Sequence, residues 1–97
     1  MTGTVVGIAW YYRGDYPRIL RIMTDADDLP ATYDAWIRSA EQVERQLKRN
    51  GLAVMHVIIE PDAFLDWCRS RGIAPNAQAR STYSSEETKR LHQTSRP

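Results

Sequence analysis

Apolar and polar positions alternate along this chain in two distinct rhythms. From Thr4 to Tyr12, seven of nine residues are Val, Ile, Ala, Trp or Tyr, a length and composition that predict a strand over about 4–12. Beyond Asp15 the period changes. Tyr16, Ile19, Leu20 and Met23 fall at i, i+3, i+4 and i+7, the stripe of an amphipathic helix over about 15–24. Gly14 is expected to make the turn, Asp15 to cap the helix, and Pro17 lies in the first turn, where its missing N–H costs nothing.

An acidic connector with Asp25, Asp27 and Asp28 then ends in Leu29-Pro30, which stops helix continuation. The clearest periodicity follows. Tyr33, Trp36, Ile37, Ala40, Val43 and Leu47 share one face of a helix over about 31–50. Asp34–Arg38, Glu41–Arg45 and Glu44–Lys48 are acid-before-base pairs on its outside, each contributing about 0.2–0.5 kcal/mol. Asn50-Gly51 closes it. LAVMHVII is rich in β-branched residues and predicts a second strand over about 52–59. Glu60-Pro61-Asp62 opens a helix over about 61–71, with Phe64, Leu65, Trp67 and Cys68 on its buried side and Gly72-Ile73 as its left-handed close. A C-terminal helix within 77–93 is predicted, capped by Asn76 or by a Ser84/Glu87 box, with a frayed tail from about 88 to 97.

These elements describe a small two-layer α/β domain, residues 1–97, with no internal repeat. Two strands joined by a helical crossover pair in parallel. Two strands alone are too few to stand independently, so the chain is expected to complete its sheet with a second copy, as a homodimer. The competing expectation is a third strand hidden in the C-terminal segment.

Composition narrows the function classes. The chain has 42% hydrophobic and 26% charged residues in a length of 97, which fits a globular protein. Thirteen Lys plus Arg against twelve Asp plus Glu give a net charge of +1, unlike the strongly basic footprint of a dedicated nucleic-acid binder. One cysteine rules out an intrachain disulfide, and neither a basic n-region nor a spanning apolar run is present. The expectation is a cytoplasmic protein without membrane association.

The chemistry-bearing residues form no catalytic signature. Arg13-Gly14-Asp15 matches an adhesion tripeptide, but backbone needs account for it better. Around it, Tyr12, Arg13, Arg18 and Arg21 make an aromatic and basic edge suited to a carboxylate or phosphate, and His56, between Val54 and Ile58, is a further candidate for the same anionic ligand. The alternative is that these arginines pair with Asp25, Asp27 and Asp28. Cys68 reads as a structural thiol. Asp62 and Asp66 at i, i+4, with Glu60 nearby, are explained by the helix dipole and by solvation. No spacing resembles a zinc site, an EF-hand, a P-loop or a nucleophile elbow. No cofactor or metal is expected. Arg69, Arg71, Arg80, Lys89, Arg90 and Arg96 form a weakly basic C-terminal face that reads as solvated or, alternatively, as a weak nucleic-acid surface.

The stretches WYYRGDYPRIL, DADDLPATYDAWIRSAEQVERQLKRNG and IEPDAFLDWCRSRGIAPNAQAR together resemble a family of short uncharacterised bacterial proteins. The resemblance covers roughly residues 10 to 80 and implies a bacterial cytoplasmic protein; it says nothing of an activity and assigns no functional residues. The leading functional expectation is a homodimeric binding or protein-interaction module, and the second is an enzyme or binder of an anionic small molecule at Tyr12, Arg13 and Arg18.

Overall fold

A computed structural model of the protein describes residues 4–94. Strand β1 (Val5–Trp10) leads through a 3-10 turn at Arg13–Asp15 into α1 (Tyr16–Ile22). A second 3-10 turn at Ala26–Asp28 precedes α2 (Tyr33–Arg49), β2 (Ala53–Ile58), α3 (Pro61–Arg71) and α4 (Ala77–Thr94). The architecture is the small α/β arrangement that the two rhythms imply. The C-terminal segment forms a long helix rather than the third strand of the competing expectation.

The strands pair in parallel, with Val5 opposite Ala53 and Trp10 opposite Ile58. Ala53 N–H donates to the Thr4 carbonyl and Ile59 N–H to the Trp10 carbonyl. Even-numbered residues of β1 therefore turn their backbone groups toward β2, and Val5, Gly7 and Ala9 turn theirs away from it. Side chains alternate in the perpendicular direction. Trp10 and His56 lie toward α2, while Gly7 lies against α4.

Both faces are covered by helices, in different ways. On the α2 side an aromatic cluster fills the space. Trp10 meets Trp36 edge-on at 5.2 Å between ring centroids, Tyr11 lies 4.7 Å from Trp36, and Tyr33 lies 5.3 Å from it. Such pairs contribute roughly 0.5–1.5 kcal/mol each beyond the area they bury. Two hydroxyls of the cluster are satisfied by carbonyls, Tyr16 donating to Pro30 at 2.6 Å and Tyr33 to Tyr11 at 3.0 Å. On the other side Ile59 and Phe64 are fully buried, and Tyr83 of α4 packs edge-on against Phe64 at 5.6 Å and Trp67 at 5.2 Å.

Helix ends follow sequence signals with some corrections. Thr32 caps α2 by accepting from Ala35 N–H, and Glu60 caps α3 by accepting from Asp62 and Ala63 N–H. Asn76 caps α4 through Ala79 N–H, which decides against the Ser84/Glu87 box. Gly72 closes α3 at φ 65°. The arginine–glycine–aspartate turn differs from expectation. Asp15 makes no side-chain cap bond, Gly14 has no positive φ, and a Cβ there would meet nothing within 4 Å. Of the three expected helix-surface pairs only Glu44–Lys48 closes, at 3.2 Å, and Asp34 turns to Arg13 instead.

Gly7 is the glycine that the packing requires. A Cβ added there would lie 1.7 Å from Thr88 Oγ1 and 3.0 Å from the Ser84 carbonyl, so α4 approaches β1 as closely as backbone allows. Gly7→Ala is expected to push α4 outward and destabilise the fold by about 1–3 kcal/mol, with Thr88→Ala in the same chain recovering part of the loss. Urea unfolding of the single and double variants measures both effects.

Candidate interaction surface

The five sequence-selected site residues occupy separate environments. Tyr12 is exposed after β1. Arg13 donates to Asp34 at 2.8 Å and lies 4.6 Å above the Tyr33 ring, which ties the first turn to α2. Arg18 pairs with Asp62, which links α1 to α3. Arg21 is exposed on α1. His56 stacks on Trp10 at 3.6 Å with the rings 5° from parallel, and its Nε2 lies 3.1 Å from Glu44 Oε1. Among the described residues no hydrogen bond, ion pair or ring contact joins any two of these five. The bond from His56, followed by that from Lys48, outweighs burial and holds the Glu44 carboxyl below its usual value.

The arginines do not pair with the acidic connector as the alternative expected. Asp25 is taken by Arg80, 55 residues away, in a bidentate pair with both contacts at 2.8 Å. The two side chains are only 11% and 17% exposed, so this is a desolvated ion pair rather than part of a solvated C-terminal face. Burial alone would lower the Arg80 guanidinium, but its bonds to Asp25 and the neighbouring phenols raise it above its ordinary value. The Arg80 bonds hold the Asp25 carboxyl below its usual range. Tyr11 lies beside this pair and is pushed up to about 12 by burial, against the pull of Arg80. Thr24 N–H donates to the Pro75 carbonyl at 2.9 Å, so the connector is fastened to the start of α4 twice. No local signal in the sequence marks this contact.

Three further arginines are likewise engaged. Arg71 forms a bidentate pair with Glu86 at 2.6 and 2.7 Å and lies 4.6 Å above Trp67. Arg90 pairs with Glu87, and Arg69 with Asp66. Cys68 is buried in the core, where burial pushes its thiol up. No group of three His, Cys, Asp or Glu side chains converges on a common point among the described residues. No described helix is long and apolar enough to cross a membrane.

A further surface is made of backbone. Along the outward edge of β1, Val5, Gly7, Ala9 and residues of α4 line two adjoining concavities that share Gly7. Arg80 and Ser81 stand near the Ala9 end, Thr88 and Lys89 near the Val5 end, so α4 runs antiparallel to β1. Ser84 lies between, 2% exposed, and its hydroxyl has no hydrogen-bond partner. Comparison with protein-family models, with curated proteins and with solved structures gives no match.

Removing one member of a buried pair strands the other, so Asp25→Ala is expected to cost about 3–5 kcal/mol. Asp25 has a depressed folded-state pKa, so its contribution is present above the ordinary carboxylate range and is lost as pH falls through the folded value. Tyr11 has a folded pKa raised from 10.0 to about 12, so its contribution is complete below pH 10 and is lost as pH rises toward 12. Urea unfolding across pH is expected to show both limbs, with Asp25→Ala flattening the acid one and Tyr11→Phe the alkaline one.

Proposed function

We propose that this chain is a homodimeric protein-interaction module. The observation that carries this reading is the sheet: among the described residues it has two parallel strands, and neither outer edge is joined by a third. Parallel strands are normally found inside larger sheets, and two strands supply little pairing of their own. A second copy provides the missing partner without any new sequence. The β2 edge is available to it, because Val54, His56 and Ile58 turn their backbone groups outward there by the same alternation. Val43 on α2, 47% exposed, adds apolar surface to that reading.

The engaged charges weigh against the other two readings. An anionic ligand at Tyr12, Arg13 and Arg18 would have to displace Asp34 and Asp62 from the two guanidinium groups. A nucleic-acid backbone on the C-terminal face would have to compete with Asp25, Glu86 and Glu87 for Arg80, Arg71 and Arg90.

Light scattering coupled to size exclusion at micromolar concentration tests the proposal. The expected mass is twice the 11.2 kDa of the chain. A monomer over the whole concentration range sinks the homodimer.

A further inference from the structure

We propose that the outward edge of β1 is a strand-addition site that takes a short extended segment of a partner protein beneath α4. This inference rests on reading the chain as an interaction module but not on its dimerisation.

The first support is the backbone. Val5, Gly7 and Ala9 present their N–H and C=O groups away from β2, and such a row is a template for another strand. Edge strands are usually blunted by charge, proline or a bulge. The six residues VVGIAW contain neither charge nor proline and pair with β2 in unbroken register. The second support is the groove beside that edge, where the Ser84 hydroxyl is buried and unpartnered. A buried hydroxyl without a partner is costly, and a polar group of an added strand would satisfy it.

Sterics decide between a second copy and a helix-free segment. Isologous pairing of two β1 edges is antiparallel and puts both α4 helices on the same face. Neighbouring strands lie about 4.8 Å apart, whereas packed helices need roughly 8–10 Å. Because α4 presses onto β1 at Gly7, two copies collide there. A segment without its own helix does not.

The lining sets the chemistry of the occupant. Alternate side chains of the added strand would lie beneath α4, facing Ser81, Ser85 and Lys89. Lys89 forms no ion pair among the described residues, Arg80 is engaged by Asp25, and neither concavity is lined by a carboxylate. Short acidic residues fit these positions. The intervening side chains would continue the half-buried row of Val6 and Ile8 and are therefore apolar.

The probe is a seven-residue peptide with blocked ends that alternates valine and aspartate, with lysine replacing aspartate in the control. Titrated into the isotope-labelled full chain, the aspartate peptide is expected to shift the amide resonances of Val5, Gly7 and Ala9 and slow their hydrogen exchange. Binding is expected to be roughly tenfold weaker for the lysine peptide and for a Ser81→Lys/Ser85→Lys chain. Both serines are exposed on α4, and amide spectra verify that this variant keeps its fold. Absence of shifts at the three amides, shifts confined to β2, or equal binding of the two peptides would overturn the site. Diffusion measured on the peptide-free chain reports its oligomeric state separately. A dimer that ignores the peptide leaves the homodimer standing without this site, and a monomer that binds it leaves this site standing without the homodimer.

Discussion

β1 is pressed from both sides by helices far from one another in sequence, and the rest of the structure follows from that double contact. On one face Trp10 meets Trp36 of α2, against which Tyr33 of the same helix and Tyr11, the residue after β1, pack in turn. On the other face Gly7 removes the side chain altogether, and α4 descends until Thr88 occupies the space a Cβ would need. A hydrophobic strand this short buries little by itself. Its stability comes from being the shared floor of two unlike interfaces.

The Asp25–Arg80 pair completes the second of these interfaces. It joins the connector before α2 to the first turns of α4, next to Tyr11 and Tyr16 at the carboxyl end of β1. Buried pairs are often no more stabilising than apolar residues of similar volume, but a half-pair is strongly unfavourable. The pair therefore acts as a registry device. α4 can seat on β1 only where Arg80 reaches Asp25, and that position places Thr88 over Gly7.

The same engagement of charge shapes what the surface can offer a partner. Arg13, Arg18, Arg71, Arg80 and Arg90 all meet carboxylates within the fold. Exposed pairs of this kind contribute little to stability, yet they occupy these five guanidinium groups, which an anionic ligand would have to free. Backbone groups at the sheet edges offer recognition chemistry that these pairs leave untouched. That is a surface for strands, and its selectivity comes from the small residues and the single lysine of α4 beside it.

Local patterns in the sequence determined the element types and most of their limits. A run of β-branched and aromatic residues, a 3.6-residue apolar stripe, Pro61 at the start of α3 and Gly72 at its end act within a few residues, so they are legible without the fold. Asn76 as a cap, Tyr16 in the core and Cys68 as a buried thiol were legible for the same reason. Only the tertiary structure decided the role of Gly7, which no turn or cap signal marks, and of Gly14, which the turn does not need. Only the tertiary structure chose Asp34, Asp62 and Asp25 as partners for Arg13, Arg18 and Arg80. Long flexible side chains reach whichever opposite charge the packing brings near, and across 55 residues no sequence spacing encodes that distance. The outward edge of β1 was hidden likewise, because an edge is defined by what does not pair with it, and that is a property of the folded sheet.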